Sequence, residues 1–117
     1  MGAQAQLQEK RKQERFSVRL KVYSQLNDEM IGYAKNLSLN GMMIATKRPL
    51  PNKKEIQIWF GATKEEKRMN RIFVYAYKVW ESFTEDSERF YYSGLHFFNP
   101  SESTLDKIQT LIDDTTD

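Results

Sequence analysis

Two short runs of the 117-residue chain combine residue types that can hold an anion. The first is Arg11-Lys12-Gln13-Glu14-Arg15. Residues four apart share a face in a helix and also in a strand, so both guanidinium groups can point at one target. A guanidinium is a planar fork that makes two parallel charge-assisted hydrogen bonds to a phosphate, and the same fork matches O6 and N7 of guanine. By itself the run equally describes a solvated, charged helix face, and Arg15 with Arg19 repeats the spacing. The second run is Asn36-Leu37-Ser38-Leu39-Asn40-Gly41. Asn and Ser bond their own backbone in turns and Gly supplies positive φ, so plain turn chemistry accounts for it. The functional reading uses the same atoms: an Asn36 amide for a base edge, a Ser38 hydroxyl for a phosphate or base, and close backbone approach at Gly41.

Other chemistries find little support. The chain has no cysteine, which removes disulfides, thiolate metal sites and cysteine nucleophiles, and fits a reducing compartment. His96 is the single histidine, so a multi-histidine metal cluster is impossible. Glu65, Glu66, Glu85, Asp86 and Glu88 fall on loops at no metal-ligand spacing, and Asp113 and Asp114 trail a terminal helix. No acid/base pair assembles on facing strands, so a non-enzymatic protein without metal or cofactor is expected. No apolar stretch is long enough to cross a bilayer, since Ile72 to Trp80 is broken by Lys78. The polar, glutamine-rich start lacks a secretory core, and a soluble cytoplasmic protein without membrane insertion is expected. Formal net charge is +2, with six bases against two acids in residues 1–21 and nine acids against two bases in 81–117. A basic leading segment on a nearly neutral body suits a small anion better than a long nucleic acid.

The elements that must position these groups follow from hydrophobic period. Residues 1–15 are basic and helix-prone but carry no apolar stripe, which predicts a flexible segment. From Phe16, apolar residues alternate through Val18, Leu20 and Val22, the period of a half-buried strand. Further strands are expected over Met30–Leu37, Met42–Thr46, Ile56–Phe60, Arg71–Glu81 and Phe90–Phe98, with turns or charged loops between them. In the fourth, Gln57 and Trp59 alternate with Ile56, Ile58 and Phe60. Pro100 and Ser101 then open a helix with Leu105, Ile108, Leu111 and Ile112 on one face. Six closely spaced strands and a helix predict a mainly β, single-domain fold. It is a six-stranded antiparallel β-barrel over residues 16–99 with a C-terminal helix over 100–114, closure removing exposed edges.

Taken jointly, RxxxR ahead of the first strand and [D/N]xSxxG between the second and third resemble the PilZ domain family. Phe16-Ser17-Val18 after the second arginine and Gly94-Leu95-His96-Phe97 in the last strand strengthen the likeness, which runs from about Lys10 to Ile112. The resemblance implies a barrel that binds cyclic di-GMP, a bacterial second messenger. Arg11 and Arg15 would clamp phosphates and guanine edges, Asn36 would read a guanine Watson–Crick edge, Ser38 would bond beside it and Gly41 would shape the turn. Asn36 stands where Asp is commoner in the family. Lys10 occupies a place where a basic residue accompanies binding of a stacked ligand pair. Trp80 has two readings, an aromatic against the ligand or a core side chain. His96 is expected to face outward or bond locally. The resemblance also implies a downstream protein partner. Two rivals remain open: a barrel that binds single-stranded nucleic acid on Tyr75, Tyr77, Trp59 and Tyr92, and a PilZ-like module that only contacts proteins.

Overall fold

The computed structural model describes residues 16–52, 54–62, 70–84 and 89–115. Lys10, Arg11 and Arg15, with the whole basic segment 1–15, lie outside the described residues. The six expected strands form: β1 (Phe16–Ser24), β2 (Met30–Leu37), β3 (Gly41–Thr46), β4 (Ile56–Phe60), β5 (Ile72–Thr84) and β6 (Phe90–Phe97). They close an antiparallel barrel in the order β1-β2-β3-β6-β5-β4. Closure is made by Tyr23 opposite Trp59 and Ser24 opposite Ile58.

Alternation supplies the interior. Val22, Ala34, Leu37, Met42, Ile44, Ile58, Val74, Ala76, Leu95 and Phe97 all join one core cluster. The last element, α1 (Glu102–Thr115), adds Ile108 and Ile112 to that cluster. Ser101 starts it as an N-cap, its Oγ accepting the Thr104 N–H at 3.2 Å. The apolar face of α1 would be unstable alone and is held by this burial.

Two β-bulges decide what faces where along β2 and β5. In β2 the pairing with β3 shifts between Ala34 and Asn36, and in β5 the pairing with β6 shifts between Lys78 and Trp80. An extra residue in one strand reverses the inward and outward sense of everything after it. Ala34 and Leu37 are therefore both core residues although three positions apart. Lys78 marks the second bulge. Its side chain is nearly covered, and its Nζ donates to the Leu50 carbonyl at 2.6 Å and to Glu81 Oε1 at 2.7 Å. That capture explains a lysine inside an otherwise apolar run, since a covered ammonium must find partners.

Trp59 departs from the surface role considered for it. It is fully buried, on the side of β4 away from the barrel core. Its indole stacks on Tyr23 with centroids 4.1 Å apart and planes within 9°. The Arg71 guanidinium lies over its ring at 4.0 Å, and its Nε1 donates to Asp28 Oδ1 at 2.9 Å. Asp28 in turn meets Arg71 Nη1 at 3.4 Å. A small outer cluster thus covers the ring, and Trp59 is no platform for a nucleic-acid base.

Candidate ligand-binding site

Strand register links Asn36 to Trp80. Ser17 on β1 pairs with Asn36 on β2, Asn36 with Met43 on β3, Met43 with Gly94 on β6, and Gly94 with Trp80 on β5. These five positions form one lateral row around the barrel wall. The adjoining row, Leu37, Met42 and Leu95, is buried in the core, so Asn36, Met43 and Trp80 face outward. From Asn36 to Trp80 is three strand steps, about 14 Å along the sheet.

Trp80 is not the core side chain of its second reading. It is 39% exposed and is not part of the core cluster. A Cβ added at Gly94 would lie 2.0 Å from Trp80 Nε1, which places the five-membered ring of the indole against the Gly94 backbone. The ring therefore reaches from β5 toward β6, on the same outward row as Asn36. Gly94 is what permits it. One row further along, Gly41 pairs with His96 and His96 with Tyr77. His96 is exposed, and its ring is tilted against Tyr77 with centroids 5.4 Å apart. The sequence marks Gly94 only through the last-strand likeness and does not mark Met43; the cross-strand register reveals that the two bridge Asn36 to Trp80.

The turn itself is tightly bonded. The Ser38 N–H donates to the Gly41 carbonyl at 2.9 Å, and the Asn40 carbonyl accepts the Phe97 N–H at 2.8 Å. Ser38 Oγ accepts from the Asn40 and Gly41 N–H groups, each at 3.2 Å, and donates to the Gly41 carbonyl at 3.3 Å. A hydroxyl has one donor and two acceptor sites, so these three bonds occupy it. Ser38 is only 6% exposed. Its place is inside the turn, where it fixes the backbone that presents Asn36. Ser38→Ala is expected to lower stability by about 1–2 kcal/mol by orphaning two N–H donors, measured by urea unfolding. Unchanged stability with lost ligand binding would instead make the hydroxyl a direct contact.

Gly41 is needed for a reason other than the one its turn setting suggests. Among the described glycines only Gly61 has positive φ. A Cβ at Gly41 would instead strike the Leu95 carbonyl oxygen at 2.0 Å. That contact is with backbone, which no rotamer change can relieve, so β3 would have to part from β6. Gly41→Ala should cost about 1–3 kcal/mol and disturb the row at Met43 and Gly94, seen as a lower denaturation midpoint. A variant as stable as the parent would mean that β3 and β6 have slack at this pairing.

Asn36 is half-buried, and its Oδ1 accepts the Met43 N–H at 3.0 Å. Lys35, extruded at the bulge, is exposed beside it. The row is thus an open face carrying an anchored amide, a nearby ammonium and an indole. Clefts of about 550 Å³ near Met30 and Leu50 and about 480 Å³ near α1 include none of these residues. Among the described residues no group of three His, Cys, Asp or Glu side chains could hold a metal ion. No described helix is long and apolar enough to cross a membrane.

Known proteins give a consistent comparison. The PilZ domain family model matches residues 9–114. No curated protein matches the sequence significantly. Among solved structures, the Bacillus subtilis inhibitor of motility MotI/DgrA superposes with a TM-score of 0.65 at 14% identity over 86% of this chain. The PilZ domain with c-di-GMP of YcgR from Escherichia coli gives a TM-score of 0.62 at 16% identity, covering 86% of this chain and 87% of that one. The Borreliella burgdorferi PlzA protein in complex with c-di-GMP gives 0.57 at 15% identity over 83% of this chain. The chain spans 47% of MotI/DgrA and 44% of PlzA.

Proposed function

Because the chain belongs to the PilZ domain family, we propose that it is a receptor for cyclic di-GMP, held between Arg11, Arg15 and the Asn36 row. The observation that carries this reading is covalent. Phe16 pairs with Leu37, the neighbour of Ser38, and Ser17 pairs with Asn36. Arg15 is bonded to Phe16, so its Cα is about 3.8 Å from a residue seated against the motif strand. Arg11, four residues earlier, is within reach of the same face. Two guanidinium forks supply charge-assisted bonds to the phosphates, Asn36 supplies orientation, and the Trp80 indole offers a surface on which a base can stack.

The module would act by binding rather than by catalysis. Bringing residues 10–15 and the β2–β3 turn onto one anion alters local charge and shape, and so the surface that a partner protein meets. Lys10 adds a third cation ahead of the fork pair, which suits a stacked pair of ligand molecules. Calorimetric titration of cyclic di-GMP tests both points at once. Saturable binding is expected, and a molar ratio of two would support the stacked pair. Absence of heat and of competition with a labelled ligand would refute the receptor.

A further inference from the structure

We infer that Asn36 meets its ligand as a hydrogen-bond donor, through Nδ2, and so selects for acceptor atoms on the bound nucleotide. The inference rests on the cyclic di-GMP reading and deepens it. Asn36 Oδ1 accepts the Met43 N–H at 3.0 Å. Only an oxygen can receive that proton, so a flipped amide would set two donors against each other. The bulge after Ala34 is what leaves the Met43 N–H for a side chain, and Asn36 lies directly opposite it. The amide is thereby fixed with Oδ1 toward β3. Its Nδ2 has no hydrogen-bond partner among the described residues and stands on the outward row shared with Trp80.

The consequence concerns which atoms of a guanine are read. Guanine offers donors at N1 and at its 2-amino group and acceptors at O6 and N7. A donor-presenting Asn36 bonds an acceptor, such as O6 or N7, and leaves the 2-amino group unread. An aspartate in the same pose would keep one oxygen on the Met43 N–H and present the other outward. The polarity at the ligand would then be reversed with no change in shape. Position 36 would accordingly set whether the Watson–Crick donors of the base are required.

The test compares cyclic di-GMP with its inosine analogue, which lacks the 2-amino group, on the full chain and on Asn36→Ala and Asn36→Asp. The affinity penalty for the analogue should agree within about twofold between the parent and Asn36→Ala, because only a difference between them belongs to Asn36. In Asn36→Asp that penalty should grow about tenfold or more, as expected for one hydrogen bond to a charged acceptor. A parent penalty tenfold above that of Asn36→Ala would overturn the inference, as would no larger penalty in Asn36→Asp. A ligand-free readout keeps this apart from the receptor reading. The Met43 amide should be protected from hydrogen exchange in the parent and lose protection in Asn36→Ala. If the parent binds no cyclic di-GMP while that protection pattern holds, it is the receptor that fails and not the amide polarity. Equal Met43 exchange in both proteins would sink the polarity claim even in a protein that binds.

Discussion

Replacing Trp59 with alanine is expected to destabilise the protein by about 3–5 kcal/mol, the cost of removing a fully buried tryptophan. The ring has three partners: Tyr23 stacked at 4.1 Å, the Arg71 guanidinium at 4.0 Å and Asp28 bonded at 2.9 Å, the last two also meeting each other. Removing it takes away the apolar spacer over which a partly covered cation and a carboxylate are held together. Tyr23 and Trp59 also form one of the two pairs that close β1 onto β4, so the loss falls on the barrel seam. Trp59→Phe keeps the stack and gives up the Nε1–H, and should cost about 1–2 kcal/mol. Urea unfolding of the three proteins separates packing from the hydrogen bond. If Trp59→Ala unfolds at the parent midpoint, the outer cluster does not hold the seam.

The largest effect on ligand binding is expected at the arginine pair. Arg11→Ala and Arg15→Ala should each weaken cyclic di-GMP binding by about 1.5–3 kcal/mol, or roughly 10- to 150-fold, through loss of a charge-assisted pair. Arg15→Lys keeps the charge but replaces a planar fork with a point donor, and should fall between parent and alanine. Calorimetry at fixed salt gives the affinities, with unfolding curves of each free variant as the control for folding. Parent-like affinity in both alanine variants would remove the clamp. Lysine performing as well as arginine would mean that charge alone matters at position 15 and that no bidentate geometry is involved.

Regular alternation carried most of the fold. The expected ranges for β2 and β4 coincide with the observed strands, and β1, β3, β5 and β6 differ only at their ends. β5 runs on to Thr84 where Glu81 was expected, because Ser82, Phe83 and Thr84 still find partners on β6. Such strand ends depend on a neighbour's length, which local pattern does not contain. Barrel closure follows from the same pattern, since six strands cannot all cover their edges in an open sheet. The comparison with PilZ structures agrees with that architecture.

The site was only half readable. RxxxR and NxSxxG state their chemistry in the sequence, because residue type and spacing suffice to propose an anion held by two forks and a polar turn. Which side of the wall each group faces was not available from the same residues. Position 36 has the parity of core residue Ala34, and position 80 that of core residue Ala76, so strict alternation would bury both. A bulge in β2 turns Asn36 outward and a bulge in β5 turns Trp80 outward, placing them on one row. The turn bonding of Ser38 was among the readings the sequence offered, but sequence could not tell that Gly41 makes room for the Leu95 carbonyl or that Trp59 is covered by Arg71. The sequence by itself determined the strand pattern and suggested the ligand chemistry proposed above, because those depend on local period and functional groups. Tertiary structure decided facing, hydrogen-bond capacity and register, because each depends on where a residue distant in the chain places its backbone.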